Sequence, residues 1–321
     1  MVEVASKPRD MSRIQRLLGH LLNPVSTVLA SSRRNVPELN MTSLASYQDY
    51  VTYRGNSEAE YAKRFQTVKQ MSAAPRPIVN RGYCVCCRRM SDFVTDADAL
   101  GIKPGDMPNW RECLICSKCG LNSRMRATIH LMKWAIRPRR DARIYLTEQV
   151  TTLYQWVKRR YPHTLGSEYL RDGTPRGGNN SIGIRHEDLT ALSFADESFD
   201  ALVSLEVLEH IPDFRRALAE CARVLAVGGK MLLCAPFHRG PNHLLRARVR
   251  DDGSIEHLHP PEYHGDPLDP NGCLCFHHFG WDILDFLKQA GFRQAVAYSI
   301  WSRELGYMAI EGDIVQFVAV K

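Results

Sequence analysis

Residues 195–213, with the sequence ADESFDALVSLEVLEHIPD, limit the possible folds more than any other part of the chain. Apolar residues dominate from Ala201 to Leu208, which predicts a strand buried on both faces of a sheet. Glu206, Glu209 and His210 come at the end of this strand. Open α/β sheets bind their ligands beyond the carboxyl ends of parallel strands, so these polar side chains are expected at a binding crevice.

The next segment completes a strand–helix–strand unit. Residues 217–237 (ALAECARVLAVGGKMLLCAPF) contain an amphipathic helix, then Gly228 and Gly229, then an apolar strand from Lys230 to Pro236. Glycine commonly ends a helix because it adopts left-handed backbone conformations without a steric penalty. This order of elements predicts an α/β fold.

These residues resemble a known family. The pattern DLTxLxFADxSFD…VLEHIPD…ARVLxxGG, which begins at Asp188, is similar to that of the class I S-adenosylmethionine (SAM) dependent methyltransferases, in particular their type 11-like branch. The resemblance covers roughly residues 143–321. It implies a Rossmann-like, seven-stranded α/β sheet with strand order 3-2-1-4-5-7-6 and the last strand reversed, and it implies SAM as the cofactor.

The first strand and the turn after it depart from the family pattern. Arg143–Thr151 (RIYLTEQVT) fits the first strand, but the turn contains no glycine where the family has a glycine-rich loop. Thr147, Glu148 and Gln149 are therefore expected to hold the amino and carboxylate groups of SAM with their side chains. A capping box that begins at Thr152 predicts that a helix follows directly.

The resemblance also assigns the remaining cofactor contacts. His163–Leu170 is predicted as the second strand, and Glu168, twenty residues after Glu148, is expected to accept hydrogen bonds from the two ribose hydroxyls. Ser181–Arg185 is predicted as a third strand, after which Asp188 is the candidate for the adenine amino group. The other residues expected at the cofactor are Tyr145, Tyr169, Glu187, Leu189, Leu205 and Glu206.

Four of the ten cysteines form two C-x-x-C pairs that are separated by 28 residues. Their positions are Cys84, Cys87, Cys116 and Cys119. A hairpin closes such a spacing into one tetrahedral zinc site, and four thiolates make that site structural because no position is left for a substrate. The alternatives are reduced cysteines without metal, or a replacement ligand from Cys86 or Cys113.

The chain divides into three predicted regions. Residues 1–80 form an N-terminal helical extension, for which the resemblance implies a lid over the sheet. Residues 81–140 form the zinc-binding module and a linking helix, and residues 141–321 form the SAM-dependent methyltransferase domain. In the extension, an apolar stripe from Ile14 to Leu22 and a tyrosine-rich stretch from Ser43 to Met71 predict two helices.

The linking helix carries two arginines in its first turn. Asn122 or Ser123 is expected to cap it, and it runs to about Ile136. Arg124 and Arg126 oppose the helix dipole there, which is compatible with binding an anion and also with two ordinary surface arginines.

Charge is distributed unevenly. The net charge is +7, but residues 1–165 carry 27 Lys and Arg against 13 Asp and Glu, whereas residues 166–321 carry 15 against 22. The basic half suits an acidic partner, such as a phosphorylated small molecule or nucleic acid, or contact with the acidic half. The chain shows neither an apolar run of membrane-spanning length nor a secretory signal pattern, so a cytoplasmic protein without membrane contact is expected.

A long insertion, about residues 238–280, follows the second strand and contains seven of the twelve histidines. Loops at this edge are expected to cover the reacting methyl group. His210, His238 and His264 are candidate general bases because imidazole titrates near neutral pH. Tyr263 and His264 are expected at the wall of the substrate site, and no histidine spacing here indicates zinc.

The predicted function is SAM-dependent methyl transfer to a small molecule, with phosphorylated, glycan and natural-product-like compounds as candidate classes. The implied reaction is direct displacement at the sulfonium methyl by a substrate oxygen, nitrogen or carbon. Three alternatives stay open: an RNA methyltransferase, an enzyme that transfers a different alkyl group from SAM, and a non-catalytic SAM-fold partner protein. The oligomeric state has no sequence signal.

Overall fold

The computed structural model describes residues 36–37, 39–103 and 105–321. These residues form sixteen strands: β1 (Asn40–Leu44), β2 (Ile78–Cys84), β3 (Arg89–Thr95), β4 (Ile115–Cys116), β5 (Ile144–Leu146), β6 (Thr164–Gly166), β7 (Phe199–Leu205), β8 (Leu225–Cys234), β9 (Leu244–Leu245), β10 (Ala247–Val249), β11 (Ile255–His257), β12 (Tyr263–His264), β13 (Cys273–Leu274), β14 (His277–His278), β15 (Gln294–Trp301) and β16 (Ile314–Val320). The helix predicted at residues 14–22 lies outside the described residues.

The same residues form seven α-helices: α1 (Tyr47–Asn56), α2 (Glu58–Ser72), α3 (Trp110–Cys113), α4 (Ser123–Leu131), α5 (Thr152–Arg160), α6 (Phe214–Val224) and α7 (Ile283–Gln289). A π-helical turn, Met132–Ile136, extends α4, and a 3₁₀ turn, Leu208–His210, follows β7. Within the described part of the chain, no helix is both long enough and apolar enough to cross a membrane.

A seven-stranded sheet with the order β1-β15-β16-β8-β7-β5-β6 lies at the centre of the fold. Strands β6, β5, β7 and β8 pair in parallel, and β16 runs antiparallel between β8 and β15. The predicted Rossmann-like class I methyltransferase fold is therefore confirmed, including the reversed strand and the closing pair of strands.

The two edges of the sheet differ from the prediction. Ser181–Arg185 forms only isolated bridges with neighbouring segments, so the predicted third strand is wrong. Strand β1 supplies the seventh strand at the opposite edge, where Asn40 lies across from Trp301. The helix predicted from Ser43 consequently begins later, at Tyr47. An open edge of β15 offers unpaired N–H and C=O groups, and pairing with them outweighs a weak local preference in β1.

Apolar residues on both faces of the sheet explain why its central strands are buried. Leu202 of β7 packs with α6 and α7 on one face, whereas Ala201 and Val203 pack with α4 and α5 on the other. This two-layer burial fixes the sheet, so the carboxyl ends of β5, β7 and β8 become a rigid edge for functional side chains.

Caps set the ends of the helices beside this edge. Asn122 caps α4, as predicted, by accepting a hydrogen bond from the Met125 N–H at 2.8 Å. Thr151 rather than Thr152 caps α5, because the Thr151 side chain accepts from the Tyr154 N–H at 3.1 Å. The helix before β8 ends at Val224, ahead of the predicted glycine stop, and the glycines lie inside β8, where the pairing with β7 is irregular.

Helices α1 and α2 pack beside the carboxyl edge of the sheet. The Tyr50 ring stacks on Trp281 with the ring centroids 5.0 Å apart. The Tyr61 hydroxyl donates to Asp313 at 2.6 Å, which joins α2 to the segment before β16. The division into three domains remains a prediction.

The cysteine-containing region is a small antiparallel sheet of β2, β3 and β4 with α3 between its last two strands. It is bound to the segment between β15 and β16, since the Tyr83 N–H donates to the Glu304 carbonyl at 2.7 Å. Asn80 adds a side-chain hydrogen bond to the Arg303 carbonyl at 2.9 Å. The insertion after β8 forms three two-stranded pairs, β9 with β14, β10 with β11, and β12 with β13.

Candidate active site

A cavity of about 620 Å³ lies at the carboxyl edge of the sheet. The strand ends contribute Glu206 and the Ala235–Phe237 segment, and the cysteine-containing region contributes Asn109, Arg111 and Glu112. The remaining lining residues are Arg124, His238, Arg239, Glu262, His264, Gly265, His278, Glu311, Asp313 and Val315. Widely separated parts of the chain therefore enclose one polar cavity, of the size that small-molecule sites have.

Charged side chains from α3 and α4 link the cysteine-containing region to the end of β7. Arg111 of α3 donates to both oxygens of Glu206, at 2.5 and 3.2 Å. Glu112 accepts hydrogen bonds from Arg124 at 2.6 and 3.0 Å. Burial alone would raise the pKa of Glu206, but Arg111 and Arg124 outweigh it and hold that pKa at about 2. Glu206 is thus an anion that fixes Arg111, and sequence reasoning missed Arg111 because no motif marks it.

The loop after β5 makes its turn without a left-handed residue. None of residues 147–151, all of which the structure describes, has a positive φ. The Thr147 hydroxyl donates to Ser204 at 3.1 Å, and the Gln149 side chain donates to the Gly183 carbonyl at 3.0 Å. The absent glycines therefore follow from the backbone path, and two of the three predicted side chains stabilise the loop.

Glu148 differs from Thr147 and Gln149, because one oxygen of its carboxylate has no hydrogen-bond partner among the described residues. Oε1 of Glu148 is buried and has no hydrogen-bond partner among the described residues. Burial raises the pKa of Glu148 to about 7, although the Arg124 charge lowers it in part. The carboxylate is therefore available to a cationic group.

Arg124 offers the opposite charge nearby. Its Nη1 is buried and has no hydrogen-bond partner among the described residues, while Nε and Nη2 bind Glu112. The neighbouring Arg126 is structural, since it donates to the carbonyls of Leu114, Leu121 and Gly306. Nε of Arg126 also lacks a partner among the described residues, but only Arg124 of these two arginines lines the cavity, so Arg124 is the one placed to bind an anion there.

Glu168 reaches the expected strand end, but the protein already uses one of its oxygens. Oε1 accepts the N–H groups of Gln149 and Val150, at 2.6 and 2.9 Å. Oε2 takes no part in these two bonds. Asp188 similarly binds Thr190 through Oδ1 alone, at 2.7 and 2.8 Å, and Tyr169 is 61% exposed.

The side chains of the remaining predicted cofactor residues are occupied within the protein, and their contact with a cofactor stays a prediction. Tyr145 lies in the core with its hydroxyl 2.6 Å from Ser167, and Leu189 and Leu205 are also core residues. The Glu187 carboxylate accepts hydrogen bonds from Arg185 and Ser193, which fixes the loop after Glu187. Apolar contacts and internal hydrogen bonds occupy these side chains, so they support the site from behind.

The predicted catalytic residues separate into three environments. His238 and His264 line the cavity, whereas Tyr263 is 58% exposed and is not among the lining residues. His210 lies behind His264, with the two rings nearly perpendicular and their centroids 5.0 Å apart. Contact with the Glu209 and Glu262 carboxylates raises the pKa of His264 to about 9, so without a further ligand it is a cation rather than a general base.

The four predicted cysteine ligands form one cluster. The Sγ atoms of Cys84 and Cys119 are 3.8 Å apart, and those of Cys87 and Cys116 are 3.9 Å apart. A tetrahedral zinc with Zn–S bonds of about 2.3 Å requires sulfur separations of about 3.8 Å. Cys86 and Cys113 are not members of this cluster.

Comparisons with known proteins agree with this architecture. Residues 145–233 match the family model described as a methyltransferase domain. The demethylmenaquinone methyltransferase of Thermobifida fusca is 39% identical over 72 residues, which cover 22% of this chain and 30% of the relative. The ubiquinone biosynthesis O-methyltransferase of Dinoroseobacter shibae is 37% identical over 68 residues, which cover 21% of this chain and 27% of the relative.

The similarity is therefore local, because the chain spans less than a third of the length of these curated relatives. A solved SAM-dependent methyltransferase from Mesorhizobium loti aligns with 60% of this chain and 100% of its own, with 17% identity and a TM-score of 0.35. The fold assignment rests on the strand order and the family match.

Proposed function

We propose that this chain binds SAM at the carboxyl ends of β5 and β7 and transfers its methyl group to a small molecule. The observation that carries the proposal is the pair of opposite buried charges, Glu148 and Arg124, each with an atom that lacks a partner among the described residues. The methionine part of SAM has one ammonium and one carboxylate group. Glu148 offers an acceptor for the first and Arg124 a donor for the second, in a buried site where both contacts are strong.

Two further acids support the position of the rest of the cofactor. Glu168 lies at the end of the strand next to β5, where a carboxylate accepts ribose hydroxyls, and its Oε2 is available. Asp188 uses only Oδ1 in its own turn, which leaves Oδ2 for the adenine amino group. When bound, SAM supplies an electrophilic methyl group, and the chain's task is to orient the acceptor toward it.

The cavity favours a small, polar acceptor. Its lining includes Arg111, Arg239 and Glu311, and its volume of about 620 Å³ suits a compact molecule. Phosphorylated and glycan-like compounds match this polarity best, because guanidinium groups bind phosphate and carboxylates bind sugar hydroxyls. The wall that the insertion contributes would determine which acceptor fits.

We also propose that the four-cysteine cluster holds a structural zinc ion. The sulfur separations support this, and Gly120, with φ of +69°, allows the tight turn after Cys119. The zinc would fix β4 and, directly before it, α3 with Arg111 and Glu112. Its role would thus be to hold one wall of the cavity.

Calorimetry with SAM tests the cofactor assignment. The wild type should bind SAM, and Glu148→Gln and Arg124→Gln should each weaken binding at least tenfold, since a charged hydrogen bond contributes about 1.5–3 kcal/mol. Asp141→Asn and Arg139→Gln are matched controls, because this exposed ion pair lies at the opposite edge of the sheet. Both controls should bind as the wild type does.

Two results would reject the proposal. Wild-type protein that is folded but binds no SAM would leave a non-catalytic SAM-fold protein, and unchanged affinity in Glu148→Gln would place the methionine end elsewhere. Mass spectrometry of the reaction product then separates methyl transfer, which yields S-adenosylhomocysteine, from transfer of the larger alkyl group, which yields methylthioadenosine.

A further inference from the structure

A second group of metal-ligand side chains lies at the cavity wall, far from the cysteines in the sequence. Glu209 and His210 come from the 3₁₀ turn after β7, and His264 comes from β12 in the insertion. Oε1 of Glu209 is 3.5 Å from Nε2 of His210 and 3.3 Å from Nδ1 of His264. One carboxylate and two imidazoles from distant segments therefore converge on a common point.

Glu209 is the unusual member of this group. Its side chain is 0% exposed, and neither carboxylate oxygen has a hydrogen-bond partner among the described residues. A buried carboxylate in this state costs several kcal/mol unless a cation compensates it. The contact with His264 at 3.3 Å does not have hydrogen-bond geometry, so within the described part of the chain both oxygens of Glu209 stay without a hydrogen bond even beside a charged imidazole.

The two histidines are oriented by bonds on their outer nitrogens. Nδ1 of His210 is 2.8 Å from the Leu274 carbonyl, which makes Nδ1 the protonated nitrogen and leaves a lone pair on Nε2. Nε2 of His264 is 3.0 Å from Glu262, which in the same way leaves a lone pair on Nδ1. The free nitrogens are the two that face Glu209. Histidines that bind metals are typically held by such a carbonyl or carboxylate on the other nitrogen.

We infer that Glu209, His210 and His264 form a binding site for a divalent transition-metal ion. A tetrahedral ion with metal–ligand bonds of about 2.1 Å separates its ligands by about 3.4 Å, which agrees with the distances of 3.3 and 3.5 Å from Glu209. Two imidazoles and one carboxylate favour ions such as Zn²⁺, Co²⁺ or Fe²⁺ over Mg²⁺ and Ca²⁺, which prefer oxygen ligands. Glu262, which also accepts from His278, completes the outer layer of the site.

Three protein ligands leave a coordination position for another molecule. His264 and Glu262 line the cavity, so that position is directed toward the substrate volume. The natural ligand is a substrate oxygen, from a hydroxyl or a carboxylate, because a divalent ion lowers the pKa of a hydroxyl that it binds. This role, unlike the metal site itself, rests on the proposed function.

In that role the site selects oxygen as the methyl acceptor. The hydroxyl proton passes to water, and a lone pair of the oxygen forms the new C–O bond. The electron pair of the broken C–S bond remains on the sulfur. The ion balances the negative charge on the oxygen until the bond forms, so it binds the reactive form of the substrate.

Titration of the full chain with Co²⁺ tests the site. Absorption spectra distinguish this site from the cysteine cluster, because Co²⁺ bound by nitrogen and oxygen ligands gives visible absorption without the strong near-ultraviolet band of cobalt thiolates. We expect one such Co²⁺ per chain, with at least tenfold weaker binding in Glu209→Gln and in His264→Asn. Glu262→Gln, which removes only an outer partner, should weaken binding about 10–100-fold.

His257→Asn is the matched control, because His257 is an exposed histidine of the same insertion and lies outside the group. It should bind Co²⁺ as the wild type does. Zinc content and melting temperature are measured for each variant, so that loss of binding is separated from loss of folding. A wild type that binds no Co²⁺, or a folded Glu209→Gln that binds it normally, overturns the inference and leaves His264 as a protonated bridge between two carboxylates. SAM affinity is measured in parallel, so the failure of the metal site and of the cofactor site are distinguished.

Discussion

At the scale of single residues, the informative side chains are those whose charge is buried without a partner. Glu148 and Glu209 both have carboxylate oxygens that lack partners among the described residues. By contrast, Asp313 is buried but accepts hydrogen bonds from Tyr61, Ser299 and Arg239. A satisfied buried acid stabilises the fold, whereas an unsatisfied one indicates a ligand, because folding alone gives no compensation for its desolvation.

Glu148 gives a pH-dependent prediction for cofactor binding. Burial raises the pKa of its carboxyl to about 7, so the group is largely neutral at pH 6 and largely ionised at pH 7.5. Since the ammonium group of SAM needs the ionised form, affinity should increase several-fold over this interval. Calorimetry at both pH values measures the change. Glu148→Gln should show weaker binding with no such increase, and an equal increase in both proteins would assign the titration to another group.

At the scale of elements, the short helix α3 connects two sites that the sequence presents separately. Its Trp110 is fully buried, and its Arg111 binds Glu206, which lies 95 residues further along the chain. The proposed zinc site is close to α3 in sequence, since β4 carries the ligand Cys116. Only four residues separate Arg111, which lines the cavity, from Cys116 of the cysteine cluster. The cluster is therefore structurally connected to the cavity.

This connection predicts that two cysteine substitutions differ sharply. Cys116→Ser should remove the zinc and lower the free energy of unfolding by about 3 kcal/mol or more, because binding free energy at a structural site is folding free energy. Cys86→Ser should cost less than about 1 kcal/mol, since Cys86 lies outside the cluster. Metal analysis and urea unfolding measure both effects. Equal zinc loss in the two variants would mean that the ligand set is different.

At the scale of the whole molecule, buried polar contacts join α4 to β16 and to the segment before it. His130 lies 3.2 Å from the Tyr307 hydroxyl, and Gln316 donates to the Thr128 hydroxyl at 2.6 Å. Burial lowers the pKa of His130 to about 4. In the unfolded chain the imidazole begins to bind a proton near pH 6.5, whereas in the folded protein it is still neutral at that pH.

The global stability should consequently fall in acid. The unfolded chain binds a proton at His130 below about pH 6.5, whereas the folded protein does so only near pH 4, so stability is lost as the pH decreases through this window. A difference of this size corresponds to about 3 kcal/mol for one buried histidine. Urea unfolding at pH 7 and pH 4.5 measures it.

His130→Asn is the test variant, because an amide preserves a polar contact with Tyr307 but does not titrate. It should be less stable than the wild type at pH 7 and should lose about 2–3 kcal/mol less on going to pH 4.5. The cysteine cluster is equally sensitive to acid in both proteins, so its effect cancels when their free energies of unfolding are compared. Parallel pH profiles would show that His130 titrates normally in the folded state.

Repeating and short-range signals in the sequence predict several parts of this protein. The apolar runs of β7, β8 and β16 predict a buried sheet because a strand that is covered on both faces is apolar at nearly every position. The two C-x-x-C pairs predict one cluster because metal ligands have a fixed local spacing. The acid Glu168 was predicted from its offset, and it does lie at the end of its strand.

The polar side chains that come together at the cavity, in contrast, are known only from the folded structure. Arg111 and Glu206, and likewise Glu209 and His264, come together across long stretches of chain, and no period or spacing links their positions. The charge of Arg124 likewise acts on Glu148 only because the fold brings them near each other. The edge strand β1 is decided in the same way, since its five residues become a strand by pairing with β15. Burial raises the energy of an unpaired charge and of an unpaired strand edge, and each needs a partner that stabilises it. That partner lies far away in the sequence, so it is known only once the chain has folded.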